Sequence, residues 1–572
     1  MKNQHPRRLK RVWEFAKPYT FLFLVAELCI LVTYAVSLLL PQNLLNLTDR
    51  VLIGGEYELL GSVIRNYAVL FGTAMVFNLI YAYTWQTLQN RFVVDVKNAV
   101  YEKAIHARAS FLSHMNSGDM MSRIDGDSEQ FLHVIQRNLF HFVNSILLCA
   151  GIVVMVGRIS AVIAGMLIVA AALPIVMTRL CGRLTERFGR SQREVTGAFT
   201  GRLFEILKGF REIRLLCAER WASSQVIKPL RTLITLGNRV RWMDFLVNKG
   251  IYLVNLITSL IIYGYSARLI YSGSMTVGQF LAVIDYVALM HKKFNWMLRI
   301  YLDWYLRRVS VDRVNEVLNT EEEESGGRPL PAVEQVAFDH VTFGYEDKPV
   351  LQDVSFTIRK GDKVAVVGAS GAGKTTIMDL FLRLYTPWSG SVRINGEDAG
   401  VFSLGDLRSR IGVVSQDIRL FDGTVRENLL LGRPGEDEAL WESLRRVGLE
   451  ELVRCMPAGL DERIGGNARG LSGGQQQRLM IARLLLRHVS LILLDEATSA
   501  LDVDMEEQVA EELMKLDEDI TVVIVSHRFS AIRGCSKVIV VNGGEIEAMG
   551  SHEEMQAQSA TYRRLFGKGG AA

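Results

Sequence analysis

The sequence has 572 residues, of which 49% are apolar, and a formal net charge of +4. That length exceeds one ordinary domain, and the positive mean hydropathy exceeds what an all-soluble chain carries, so at least one part is expected in a membrane. So small a charge gives no argument for a nucleic-acid partner, and six scattered cysteines without CxxC or CxxH spacing argue against a disulfide framework or a zinc site.

Residues 1–19 are basic and amphipathic, with Arg7, Arg8, Lys10, Arg11 and Lys17 beside Val12, Trp13 and Phe15, which predicts a short interfacial helix on the cytoplasmic face. The apolar run that follows has spanning length and no small-residue cleavage motif, so it reads as a first span rather than as part of a signal peptide. Six such runs occur, at Phe21–Leu40, Tyr67–Trp85, Leu139–Gly157, Ala161–Thr178, Ile251–Ala267 and Met275–Met290, within an expected all-α transmembrane domain over 20–318. The last is interrupted by Asp285, His291, Lys292 and Lys293.

The segments after the second and fourth spans are long and rich in Lys and Arg, which places them and both termini inside by the positive-inside rule. Their apolar residues recur at helical spacing, so they are expected to continue the spanning helices into the cytoplasm; the stretch Gln86–Ser113 alone would project about 40 Å. Charged residues inside spans are costly and face an aqueous path or a partner. Glu27, Asp285, His291, Lys292 and Lys293 are therefore candidates for a substrate cavity, with an internal ion pair as the competing explanation.

Composition changes at 319–331, where Glu321-Glu322-Glu323-Glu324 precedes Gly326, Gly327 and Pro329, the mark of a linker. From 332 to 572, β-branched runs alternate with helical ones, predicting an α/β domain. Within it, the strand Lys363–Val367 runs into Gly368-Ala369-Ser370-Gly371-Ala372-Gly373-Lys374-Thr375-Thr376. Glycines let successive N–H groups point at anionic oxygens, and a helix beginning near Lys374 aims its positive end at them. Lys374 would reach the β/γ-phosphates of a nucleotide and Thr375 would ligate Mg²⁺. The apolar strand Leu491–Leu494 ends in Asp495 and Glu496, placed to hold Mg²⁺ and to orient an attacking water; an acidic helix cap is the alternative. Leu471-Ser472-Gly473-Gly474-Gln475 opens a further helix and offers a second anion site, which one nucleotide does not need. The second site is expected to serve the nucleotide of another subunit.

Taken together, these motifs resemble those of an ATP-binding cassette half-transporter of the exporter type, a transmembrane domain fused to a P-loop nucleotide-binding domain. Gly368–Thr375 matches the family's Walker A loop, Asp495-Glu496 the end of Walker B, and Leu471–Gln475 its signature. Gln416 stands at the glutamine that senses Mg²⁺, Asp502 in the loop that crosses the dimer interface, His527 at the switch histidine, and Tyr345 where an aromatic stacks on adenine. Residues near 117–128 and 205–215 resemble the coupling hairpins. Gly466 and Ala468 depart from the family, which commonly has glutamate and glycine there. The resemblance implies ATP and Mg²⁺ as cofactors and catalytic roles for Glu496, His527 and Gln416. It implies a second chain as partner, with a homodimer favoured and a heterodimer as the alternative, surrounding membrane lipids, and a place in a bacterial inner membrane. Export of an amphipathic peptide, lipid or drug-like molecule by alternating access is the expected activity, and import of a metal-chelating small molecule is the alternative.

Overall fold

The computed structural model describes residues 13–566 apart from 114, 116, 134–139, 325, 331, 416–418, 465–470, 497–510, 513, 515–518 and 527. It divides into two compact units, Met1–Ile105 with Met115–Thr320, and His106–His114 with Glu321–Ala572.

The first unit is helical. Its main elements are α1 (Thr20–Asn46), α2 (Leu60–Ile105), α3 (Ser117–Ser122), α4 (Ser128–His133), α5 (His141–Ile159), α6 (Ala161–Lys208), α7 (Phe210–Leu215), α8 (Glu219–Tyr271) and α9 (Val277–Asn319). Among the described residues, the six apolar runs lie mostly within α1, α2, α5, α6, α8 and α9. Among the described residues, four helical stretches are long and apolar enough to cross a membrane, namely Trp13–Ile53, Tyr57–Ile105, His141–Ile159 and Glu219–Tyr271. Ala161–Val176 is a shorter apolar helix. α9, with its charged residues, is not among the four. Most of the basic amino-terminal segment lies outside the described residues.

Ile30, Leu148, Ile152, Ile163, Ile262, Val283 and Val287 form the buried centre of this unit. Polar contacts inside it are few and specific. The Tyr286 hydroxyl donates to the Leu38 carbonyl at 2.6 Å. At the start of α9, the Thr276 hydroxyl accepts from Gln279 N–H and the Gln279 side chain reaches back, a capping box. Asp49 joins this cap by accepting from the Gly278 N–H at 2.8 Å. A Cβ at Gly278 would lie 2.6 Å from both Asp49 and the Leu45 carbonyl, so the close approach requires glycine.

The first expected hairpin tip is folded against the foot of α9. Arg123, 8% exposed, donates to Asp119 at 2.8 Å, to Glu316 at 2.7 Å and to the Arg313 carbonyl at 3.0 Å. Arg313 in turn pairs with Asp127 at 2.8 Å and with Asp119. Burial alone would raise the Asp119 carboxyl, but the hydrogen bonds and charges of Arg123 and Arg313 hold it below the usual carboxylate range. The second expected tip holds α7, and Phe204, Leu207, Phe210, Leu215 and Leu216 are exposed in and beside it.

The expectation of an unbroken helix through Ser113 is corrected by the structure, because α2 stops at Ile105. The next residues leave the helical path to pair with the acidic linker. Ala107 bridges Glu322, the Arg108 N–H donates to the Glu321 carbonyl, and the Glu323 N–H donates to the His106 carbonyl. Arg108 also meets the Glu321 carboxylate at 2.8 Å, and Glu323 accepts a two-pronged pair from Arg408 at 2.5 and 3.0 Å.

The rest of the second unit is organised by two large sheets, beside a two-stranded one between Gly423–Thr424 and Arg463–Ile464. Strands β1 (Gln335–Tyr345), β2 (Lys348–Arg359), β4 (Ser389–Ile394) and β5 (Glu397–Asp398) form an antiparallel sheet in the order β2-β1-β4-β5. Strands β3 (Lys363–Gly368), β6 (Ile411–Val414), β7 (Leu491–Asp495), β8 (Thr521–Val525), β9 (Lys537–Asn542) and β10 (Glu545–Gly550) form the other, in the order β10-β9-β3-β8-β7-β6. All its pairings are parallel except β9 with β10. A parallel sheet covered on both faces needs continuous apolar strands, and Val364, Ala365, Val366 and Val367 of β3 are all buried. The register pairs Val366 with Val525 and Val525 with Asp495, so β3, β8 and β7 end on one edge, where α/β sheets bind ligands.

Replacing Arg123 with alanine leaves two acids facing Arg313 alone, and is expected to cost about 2 kcal/mol, less than a fully buried pair because Glu316 is exposed. Thermal unfolding of the purified protein at pH 7 reads this as a lower Tm. The loss should shrink as pH falls below the ordinary aspartate range near 3.8, since the lowered Asp119 stabilises the fold only where the unfolded chain's carboxyl is ionised.

Candidate functional site

The glycine loop turns at the carboxyl end of the central strand. Gly368 passes so close to β9 that a Cβ there would lie 2.2 Å from the Val541 carbonyl. Gly373 adopts φ +101° as the residue before α10 (Lys374–Phe381), and a Cβ would meet Leu351 at 2.6 Å. Between them, exposed Ser370 and Gly371 form the outer rim, with Gly371 also at positive φ.

Lys374 is 7% exposed and folds back into its own loop, donating to the Gly368 and Ala369 carbonyls at 3.0 and 2.9 Å. Burial pushes its ammonium below the ordinary lysine value, and the charges of Glu496 and Asp495 push the other way. The Thr375 hydroxyl donates to the Asp495 carboxylate at 3.0 Å. A hydroxyl and a carboxylate oxygen at that spacing are the hard donors that Mg²⁺ takes, so these residues fit the ion.

The Tyr345 ring is 39% exposed and stands nearly perpendicular to Phe343 and Tyr385, each at 5.3 Å. Its hydroxyl lies 3.4 Å from that of Thr376 and donates to Asp379 at 3.2 Å. The aromatic at the end of β1 is thereby tied to α10, the helix that follows the glycine loop. Asp379 did not stand out in the sequence, where it is one acid on a helix; burial raises its carboxyl.

Glu496 follows β7 with φ +47°, a left-handed conformation that costs a non-glycine residue energy and is held from two sides. Its N–H donates to the Val525 carbonyl at 2.9 Å, and its carbonyl accepts from the Gln477 side chain at 3.3 Å. Gln477 is fully buried in α11 (Gly473–Leu485). Sequence reasoning passed over it because it follows the Ser-Gly-Gly-Gln motif among other glutamines; a glutamine on the buried side of a helix is the signal that was there to read.

Ser472 caps α11. Its hydroxyl accepts from Gln475 N–H at 3.3 Å, while the Gln475 side chain accepts from Ser472 N–H at 2.8 Å. The capping box leaves Ser472 and Gly473 exposed and Gly474 half-buried at the positive end of a 13-residue helix. Gln416, His527 and Asp502, with Gly466 and Ala468, lie outside the described residues.

The five charged candidates in the spans lie on two helices, Glu27 on α1 and the other four on α9. Glu27 lines a cleft with Tyr81, Trp85 and His141. Lys293 donates to the Tyr34 hydroxyl at 3.0 Å and lies 4.3 Å from the centre of that ring. His291 is half-buried, with its Nε2 buried and without a hydrogen-bond partner. Asp285 and Lys292 are exposed.

Two family models match the chain, the ABC transporter transmembrane region over residues 23–292 and the ABC transporter domain over 351–499. A "Putative multidrug export ATP-binding/permease protein" of Staphylococcus aureus strain NCTC 8325 is 29% identical over 575 residues, covering 98% of this chain and 99% of that protein. A protein so named from the bovine strain RF122 is 28% identical over 578 residues, with the same coverage. Among solved structures, a bacterial Atm1-family ABC exporter with ATP bound superposes with a TM-score of 0.85 over 97% of this chain and 100% of that one, at 22% identity, which is a likeness of fold. With both family regions in one polypeptide, in that order and along nearly its whole length, the chain belongs to the ATP-binding cassette transporters as an exporter-type half-transporter.

Proposed function

We propose that two copies of this chain form a multi-pass exporter in a bacterial inner membrane, with both termini cytoplasmic, that moves an amphipathic substrate by alternating access. The observation that carries the reading is the pairing, in one chain, of a complete phosphate cradle around Lys374 with a separate capped helix start at Ser472. Each ATP would lie between the cradle of one chain and the Ser472–Gly474 terminus of the other, so that binding closes the pair. The exposed apolar residues of α7 and the tip at α3 suit them as the coupling hairpins that carry closure to the spans. Relatives named for multidrug export favour export over import of a chelating small molecule.

In this mechanism the Gly368–Gly373 N–H groups and Lys374 hold the β- and γ-phosphates. On binding, Lys374 exchanges its two carbonyl partners for phosphate oxygens. Tyr345 offers a tethered ring to adenine. Thr375 and Asp495 would hold Mg²⁺, which neutralises phosphate charge when bound. Glu496 orients the attacking water with His527 and Gln416 around the γ-phosphate, and Gln477 keeps the Glu496 backbone in its left-handed turn. Asp502 belongs to the contact between the two chains. An intact set of motifs in one chain supports a homodimer.

Glu496→Gln is expected to keep ATP affinity and to lower turnover by about a hundredfold or more. Substantial ATPase in the purified variant sinks the assignment. Lys374→Ala should instead raise the ATP Kd by at least about tenfold, read by direct titration. For Gln477→Ala we expect a fall of about tenfold in kcat with ATP affinity retained, the result of a displaced Glu496; an equal loss in both points to general unfolding. The mass of the natively purified complex tests the homodimer.

A further inference from the structure

The only acid in the first span stands in an aromatic cleft. Glu27, on α1, is half-buried, and among the described residues it forms no ion pair. Two stacked ring pairs border it. Tyr81 and Trp85 of α2 lie 6.5 Å apart with planes 20° from parallel, and Phe23 and Phe140 lie 5.3 Å apart at 19°. Phe23 also meets Trp85 at 6.2 Å, so the two pairs join into one wall. His141 is held in place by the Tyr81 hydroxyl at 2.9 Å and by Trp296 edge to face at 5.1 Å.

A second, independent feature lies in the same cleft. Asn144 is fully buried, and neither its amide nitrogen nor its oxygen makes a hydrogen bond of standard geometry. It interacts with the Glu27 carboxyl without meeting the geometry of a full hydrogen bond. A buried amide left in this way costs free energy unless something else bonds to it. The cleft itself, about 10 Å³, has room for one water-sized group. A carboxylate, an amide oxygen and the faces of electron-rich rings around so small a space share one preference, for a compact cation carrying N–H donors.

We propose that this cleft binds the ammonium head of an amphiphilic amine, with Glu27 as counter-charge, the Asn144 oxygen as acceptor and Trp85 as cation–π partner. The proposal rests on the transport reading above and narrows its substrate to cationic amphiphiles; a neutral lipid or an acidic peptide would leave Glu27 and Asn144 unsatisfied. The apolar remainder of the ligand lies outside the cleft, which is too small to hold it.

The test uses the full-length chain in detergent, titrated with dodecylamine and with dodecanol as a neutral match in length, and read by intrinsic tryptophan fluorescence. The amine is expected to bind at least about tenfold more tightly than the alcohol, and Glu27→Gln to remove that preference. Trp85→Leu, a second variant that leaves the carboxylate in place, should weaken the amine several-fold more than the alcohol. Equal binding of the two probes by the wild-type chain overturns the proposal with no variant needed, as does a preference that survives Glu27→Gln. ATP hydrolysis by the wild-type preparation is scored separately. Its absence would count against the transporter mechanism while leaving amine binding to be judged on its own data.

Discussion

A cation folded back onto two carbonyls of its own loop is the contact on which the nucleotide-binding half depends. Lys374 cannot be left buried and unpaired, and the Gly368 and Ala369 carbonyls cannot turn inward without a donor to meet them. Each requirement answers the other, and the loop is held open in the shape of the phosphates it is built to receive. The rest follows from bringing that loop to the sheet edge. β3 has to be apolar on both faces to run through the middle of the sheet, Gly368 has to lack a side chain to pass Val541, and β7 has to end level with it so that Asp495 reaches Thr375.

In the helical unit the constraint is the reverse, because apolar packing is abundant and direction comes from the few polar groups inside it. Asp49 fixes where α9 begins, the Tyr286 hydroxyl ties α9 to α1 through Leu38, and Lys293 rests on Tyr34. At the foot of α9, four charged or carbonyl contacts made by Arg123 and Arg313 join the first hairpin to the helix. A motion of α9 is thus passed to the hairpin without passing through side-chain packing alone.

Elements whose chemistry is local were legible in the sequence. The glycine loop, the acids after Leu491–Leu494 and the capped helix at Ser472 each combine a short motif with an apolar period, and their structures follow from those neighbours. What was not legible depends on residues far apart in the chain. Nothing around Gln477 says that its amide reaches the Glu496 carbonyl, and nothing around Asp379 says that a tyrosine from β1 lands on it. Helical spacing through Gln86–Ser113 predicted a continuous helix, yet pairing of His106–Arg108 with the acidic run at 321–323 outweighs local propensity there. Glu27 could be singled out as an unusual acid, but its aromatic surroundings come from three helices.

The bridge between Ala107 and Glu322 makes the second unit discontinuous in the chain. Its first nine residues are translated long before the remainder, and Ala107 is buried only once the linker arrives. A nucleotide-binding fragment cut at residue 321 would leave Glu321 and Glu322 without the strand they pair with. The same holds for evolution by recombination: an exchange of nucleotide-binding halves between relatives that joins them at the linker alone severs this pairing. The two halves are therefore expected to diverge as a matched set, with residues 106–114 inherited along with the half that they complete.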